Sequence, residues 1–126
     1  MPGLVYDAGA LLAAERRDVA VALLHQRAVR TGVRPIVPAA VLAQAWRGGP
    51  RPGLSLLLKG CLILPVDEHL ARAAGTACGR ARTSDVVDAL VVVTAARLDA
   101  TILTSDPDDL HHLADAINTK LTIRTI

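Results

Sequence analysis

Aromatic side chains are almost missing from this chain of 126 residues, which has no phenylalanine, one tyrosine and one tryptophan. That composition excludes RNA-binding sheets and barrels that stack bases on several aromatic side chains. Long uncharged apolar runs are also missing, so we expect no transmembrane helix. Acidic residues within the first twenty positions are wrong for a signal peptide. We therefore expect a cytoplasmic protein that does not contact a membrane.

Cysteine and histidine are too few and too scattered to indicate a disulfide bond or a zinc site. Cys61 and Cys78 each lie in an apolar context, which predicts two buried thiols rather than a disulfide or a metal pair. The four histidines lack zinc-ligand spacing. No glycine-rich phosphate loop follows a predicted strand, so a nucleotide cofactor is not indicated.

Apolar residues make up 52% of the chain and charged residues 21%, which excludes a disordered protein. The length predicts one domain over residues 1–126 whose core needs no disulfide. Charge is segregated, because residues 16–84 hold eleven Arg or Lys against three acids, and residues 85–115 hold seven acids and one Arg. Such a division fits solvated helix faces, but it also fits an acidic metal site beside a surface that attracts phosphate.

Strands and helices alternate along the chain. Strands are predicted at 4–6, 35–38, 61–66, 101–105 and 121–126. Helices are predicted at 8–17, 19–30, 39–47, 52–59, 68–79 and 84–98, with a short one starting at 106. Because parallel strands need crossover connections, this alternation predicts an α/β fold with a mostly parallel central sheet and helices on both faces.

Carboxylates stand where the chain leaves the predicted strands, at the edge where such sheets bind ligands. Asp7 follows the first strand and Asp106 the fourth, although each could simply cap a helix, and Pro107 strengthens that alternative for Asp106. Asp88 lies in a very apolar stretch with no Lys or Arg in helical reach, where an unpaired carboxylate is costly. A parallel sheet would bring all three to one edge, and oxygen ligands suit Mg²⁺ or Mn²⁺.

Asp85 shares a helix face with Asp88, and two carboxylates so placed repel each other unless a cation lies between them. The alternative is that Ser84 caps this helix and Asp85 only interacts with the helix dipole. Asp108 and Asp109 are interpreted as first-turn dipole partners of the following helix.

Three segments resemble the motifs of PIN domains. The strand at 4–6 ends in Asp7 followed by small residues, 87–95 carries Asp88 ahead of an apolar stretch of the same helix, and 102–108 runs from a strand into Thr-x-Asp-x-Asp. Their order and spacing span nearly the whole chain. The size, without further domains, resembles the toxins of VapBC-type toxin–antitoxin pairs.

This resemblance implies a Mg²⁺- or Mn²⁺-dependent endoribonuclease that hydrolyses RNA phosphodiester bonds, forms a homodimer and is neutralised by a cognate antitoxin. It implies that Asp7, Asp88 and Asp106 hold the metal. Gln44 stands where the family carries a glutamate, in the helix after the second strand. We interpret Gln44 and Asp85 as further catalytic residues that position water or a second ion, with Asp85 supplying the charge missing at Gln44.

Other functions stay open. A PIN-like protein that has lost catalysis and only binds an antitoxin or RNA is favoured by Gln44, whose amide brings no charge. Gln44 could also simply bond Arg47 or solvent. A small-molecule phosphohydrolase on a similar sheet is opposed by the lack of a phosphate-binding glycine loop.

Overall fold

The computed structural model describes residues 3–126 of the chain. One five-stranded sheet is formed by β1 (Leu4–Tyr6), β2 (Ile36–Pro38), β3 (Leu62–Leu64), β4 (Thr101–Thr104) and β5 (Thr122–Thr125). The spatial order is β3-β2-β1-β4-β5, and every neighbouring pair is parallel. The predicted α/β fold is therefore confirmed, with a sheet that is entirely parallel in these residues.

Seven helices connect the strands in the described part of the chain. They are α1 (Ala8–Glu15), α2 (Val19–Arg30), α3 (Ala39–Ala45), α4 (Pro52–Lys59), α5 (Glu68–Ala81), α6 (Val86–Leu98) and α7 (Pro107–Ala116). None of them has the length and apolarity that crossing a membrane requires. Both cysteines are buried free thiols, as the sequence predicts.

Layers of helices cover both faces of the sheet. Successive side chains of a strand point to opposite faces, yet Leu4, Val5 and Tyr6 of β1 are all buried. Both faces must therefore be covered at this central strand. The Tyr6 hydroxyl is bonded to Nδ1 of His25 on α2 at 2.8 Å, which ties one layer to the sheet.

The strand order places a topological switch point between β1 and β4. The chain builds β2 and β3 on one side of β1 and then crosses to build β4 and β5 on the other. Tyr6 pairs with Leu103, so β1 and β4 end at the same level. The residues that follow them, Asp7 and Asp106, thus flank the crevice where open α/β sheets bind ligands.

Most predicted boundaries lie within two residues of the observed ones, and two differences have clear causes. Helix α6 begins at Val86 rather than at Ser84, because Asp85 adopts the non-helical conformation of an N-cap. Strand β3 spans only Leu62–Leu64 of the predicted 61–66, since the partner strand β2 is three residues long and offers no further pairing.

Close packing of α1 on α4 requires Gly53. A Cβ at this position would lie 2.5 Å from the carbonyl oxygen of Ala14, whereas a Cβ at Gly79 on α5 would meet nothing within 4 Å. We expect Gly53→Ala to lower the free energy of unfolding by about 1–3 kcal/mol through overpacking. Gly79→Ala should raise it by up to about 1 kcal/mol, because alanine favours helix. Urea denaturation of both variants measures the contrast, and equal stabilities would contradict the packing.

Candidate metal centre

Asp7 lies at the carboxyl end of β1 and is almost fully buried, with 8% of its surface exposed. Its Oδ1 accepts the backbone N–H of Ala10 at 3.0 Å, so Asp7 does cap α1. Its Oδ2 accepts the hydroxyl hydrogen of Thr104 on β4. With both oxygens bonded, the carboxylate is held in one orientation at the edge of the sheet.

Asp106 is tied to the same threonine. Its backbone N–H donates to Thr104 Oγ1 at 3.0 Å, so one hydroxyl links Asp7 to the start of the loop that carries Asp106. Pro107 occupies the first position of α7, yet within residues 3–126 the Asp106 side chain makes no capping bond to that helix. Its exposed carboxylate is therefore not occupied as a cap.

An acidic cluster is formed by Asp85, Asp88 and Asp109. One carboxylate oxygen from each residue lies within 4.8 Å of the others, which is metal-ligand spacing. Asp85 Oδ1 also accepts the backbone N–H of Asp88 at 3.2 Å, so Asp85 caps α6. The expectation that Ser84 is the cap is thus wrong. Among the described residues, Asp7 and Asp106 are not part of this compact group, although both were predicted to share the metal with Asp88.

The acidic cluster lines a small cavity of about 80 Å³ between α6, α7 and the loop that joins α5 to α6. The cavity is completed by Thr83, His112 and Leu113. His112 is fixed there by a hydrogen bond between Nε2 and the carbonyl oxygen of Ala81 at 2.8 Å. A water molecule takes roughly 30 Å³ in the liquid, so an ion and a water fit this space.

Asp88 is the electrostatic centre of the site. Burial first, and then the neighbouring carboxylates of Asp85, Asp109 and Asp7, together raise the pKa of its carboxyl group to about 7. A carboxyl with this pKa is half protonated at neutral pH. The pKa is raised mainly because the carboxylate is desolvated, as the apolar residues around Asp88 in the sequence predict.

Asp7 connects the acidic cluster to Asp106. Burial raises the pKa of Asp7, hydrogen bonds from Thr104 and from backbone N–H groups oppose that rise, and the Asp106 carboxylate adds to it. Since Asp7 also acts on Asp88, the five carboxylates form one interacting system. Three elements contribute them: the start of α1, the start of α6 and the start of α7.

The chemistry of this donor set fits a hard divalent cation. All five donors are carboxylates, three of them share one small cavity, and no sulfur ligand belongs to the compact group in residues 3–126. Oxygen-only ligands are those that Mg²⁺ and Mn²⁺ prefer. A cation among them would also remove the mutual repulsion that raises the pKa of Asp88.

Gln44 lies exposed on α3, which begins directly after β2. This helix packs against α1 and α6, the helices that Asp7 and Asp85 cap. Arg47 does not use Gln44 as its partner, because its guanidinium donates to the carbonyl oxygens of Ala43 and Trp46.

Asp109 is the site residue that the sequence analysis missed. It was interpreted as a dipole partner of α7, a role that any acid in a first turn can fill. The sequence holds one signal for Asp109, which is that His112 lies three residues later, so that the two side chains share a face of the helix. In the structure both of them line the cavity. Only the approach of α7 to α6 reveals that Asp109 faces Asp88.

A model of the PIN domain family matches residues 4–116, and the chain therefore belongs to the PIN domain family. PIN domains are generally nucleases and typically use a divalent metal. No curated protein matches the chain in sequence.

Solved structures share this fold at low sequence identity. VapBC2 from Rickettsia felis, bound to a DNA fragment from its promoter, aligns with a TM-score of 0.73 at 12% identity over 98% of each chain. FitAcB from Neisseria gonorrhoeae aligns at 0.64 and 16% identity over 95% of each chain. PAE2754 from Pyrobaculum aerophilum aligns at 0.65 and 14% identity, over 97% of this chain and 83% of its own.

Proposed function

We propose that this protein is a metal-dependent endoribonuclease and the toxin of a type II toxin–antitoxin pair. The observation that carries the proposal is the set of carboxylates around Asp88 near the switch point of a parallel sheet, in a cavity that no Lys or Arg of residues 3–126 lines. Repulsion between these carboxylates does not help the chain to fold, whereas a site for Mg²⁺ or Mn²⁺ requires several carboxylates close together. Membership of a family of nucleases favours the same activity.

Asp88, Asp85 and Asp109 would hold the ion, with Asp7 and Asp106 completing its surroundings. An ion held there would lower the pKa of the attacking water and offset charge on the scissile phosphate. Thr104 keeps the Asp7 carboxylate and the Asp106 loop in register, so that the ligands do not have to reorganise. Arginines of the basic part of the chain bind the flanking phosphates.

The direct test is cleavage of single-stranded RNA by the purified protein in Mg²⁺, in Mn²⁺ and in a chelator. We expect cleavage only with a divalent ion. Binding of RNA without cleavage under any metal condition would support the alternative of a PIN protein that has lost catalysis, which the missing charge at Gln44 favours.

Asp85 is expected to supply the charge that Gln44 lacks. Asp85→Asn keeps a good helix cap and removes only the charge, so the variant isolates the electrostatic role. We expect it to lower metal-dependent cleavage nearly as much as Asp88→Asn, with partial rescue when Gln44→Glu is added. Single-turnover cleavage rates of the two single variants and the double variant measure this. Unchanged activity in Asp85→Asn would leave Asp85 as a cap alone.

An antitoxin is the proposed partner, and two surfaces favour one. The acidic cluster suits a guanidinium from the partner in place of the metal. A groove of about 640 Å³ between α1, α2 and α4 is lined largely by apolar side chains, among them Leu23, Val29 and Leu56. Arg17 and Arg30 at its rim would attract an acidic amphipathic helix.

The groove can be tested with a charge placed in it. Leu56 is 70% exposed in the groove and Leu98 is 52% exposed outside it, so Leu56→Glu and Leu98→Glu form a matched pair. We expect Leu56→Glu to weaken binding of the antitoxin encoded beside this chain by about 10-fold or more, since burying an unpaired charge is costly. Calorimetric titration checks this, and equal affinities of the two variants would contradict it.

A further inference from the structure

Trp46 is a feature of the structure that the metal centre does not explain. The chain has two aromatic residues, and the other, Tyr6, is buried and bonded to His25. Trp46 is 37% exposed and stands immediately after α3, held there by its backbone N–H bond to Leu42 at 2.8 Å. A tryptophan that is more than a third exposed, in a chain so poor in aromatics, offers an aromatic surface to a ligand with an aromatic or apolar surface of its own.

Two arginines, Arg47 and Arg51, belong to the loop that follows Trp46. The Arg47 guanidinium is fixed against the backbone, since one of its nitrogens donates to the carbonyl oxygens of Ala43 at 3.1 Å and Trp46 at 2.8 Å. Arg51 closes the same loop before α4. Residues 19–66 contain six Arg or Lys and no Asp or Glu, so nothing acidic in this part of the sequence neutralises them. A stacking surface beside a fixed cation suits a base and its phosphate.

The loop after Trp46 leaves room for such a ligand. Gly48 and Gly49 have φ values of +74° and +65°, and a Cβ at either would meet nothing within 4 Å. Glycine is favoured there because other residues rarely adopt this conformation. The backbone beside the indole therefore turns through open space without side chains that would cover it.

The position of α3 relates this loop to the metal centre. Helix α3 packs against α1, which Asp7 caps, and against α6, which carries Asp88. Seven residues of helix span about 10 Å, so Trp46 lies within a few nucleotides' reach of the start of α3 at the edge of the sheet.

We propose that Trp46 and Arg47 bind an unpaired nucleotide of the substrate beside the cleaved bond, the indole stacking on its base and the guanidinium holding its phosphate. The inference rests on the proposed function in taking RNA as the substrate. A second copy of the chain is the less suitable occupant. In a twofold interface the same patch meets itself, which would bring the arginines of both copies together.

The single tryptophan makes the test direct, because fluorescence excited selectively at tryptophan then reports Trp46 alone. An Asp88→Asn background blocks cleavage, and the probes are a 12-nucleotide oligouridylate and inorganic polyphosphate of equal charge. We expect quenching by the oligouridylate and not by polyphosphate. Anisotropy of labelled oligouridylate should give about 5- to 150-fold weaker binding for Trp46→Ala, the range of one lost base stack. Trp46→Phe should keep most of the affinity.

Arg47→Ala supplies a matched electrostatic control, since it should reduce the salt dependence of binding by about one phosphate contact and leave the quenching in place. Equal quenching by polyphosphate, or unchanged affinity in Trp46→Ala, overturns the proposal. So does sedimentation in which Trp46→Ala dissociates a dimer while RNA affinity is unchanged. A wild-type protein that binds RNA through Trp46 but cleaves nothing would refute the nuclease and leave this site standing.

Discussion

Asp88→Asn should lower the rate of metal-dependent RNA cleavage by at least about 100-fold. A bound metal ion contributes several kcal/mol of transition-state stabilisation, and the variant lacks the ligand at the centre of the site that would hold the ion. Asn keeps the size of the side chain and removes only the charge at the centre of the carboxylate system. The effect should appear in kcat more than in KM, since the arginines proposed to bind RNA are untouched. Single-turnover cleavage at saturating RNA measures it.

Asp115→Asn is the matched control, because Asp115 is an exposed acid on α7 outside the acidic cluster. Its cleavage rate should equal that of the wild type. The metal-free Asp88→Asn protein should also be more stable than the wild type at neutral pH, because the substitution removes repulsion from Asp85 and Asp109. Full activity in Asp88→Asn would refute the metal centre.

Mn²⁺ should reverse the pH dependence of stability. In the metal-free protein the pKa of Asp88 is about 7, raised by burial first and by neighbouring carboxylates next, against a usual value of 3.8. The folded state therefore holds an extra proton between about pH 4 and 7, and its stability must fall as pH rises through that window. Asp7 acts in the same direction, since its pKa is raised as well.

With Mn²⁺ the ion binds the ionised carboxylates, so stabilisation by metal grows with pH. At a free concentration 100 times Kd it amounts to about 2.7 kcal/mol. Thermal melts from pH 5 to 8, in chelator and in Mn²⁺, should diverge as pH rises. Asp88→Asn should remove most of the divergence. Parallel melting curves with and without Mn²⁺ would show that these carboxylates do not hold the ion.

The sequence predicts those parts of the site that depend on strands. Asp7 and Asp106 follow apolar runs that can only be strands, and a parallel sheet brings such residues to one edge. Asp88 is predicted by the cost of a carboxylate in apolar surroundings, and burial is indeed the largest cause of its raised pKa. These inferences need only local pattern and the general rules of α/β sheets.

The sequence does not predict how helices meet. Asp109 looks like an ordinary first-turn acid until α7 packs on α6, and Asp85 cannot be chosen as the cap over Ser84 before the backbone is known. The apolar groove is not predicted for the same reason, since in the sequence Leu56 is only one more apolar residue of the α4 segment. Propensity and periodicity fix which face of a helix is apolar, but not which neighbour that face meets.

The bond between Thr104 and Asp7 joins residues that are 97 positions apart in the chain. A ribosome must therefore extend the polypeptide past β4 before Asp7 can be oriented, and past α7 before Asp109 can meet Asp88. Fragments that end before residue 101 hold β1, β2 and β3 but no partner for the other side of β1. The carboxylates therefore assemble only in a molecule whose fold is complete.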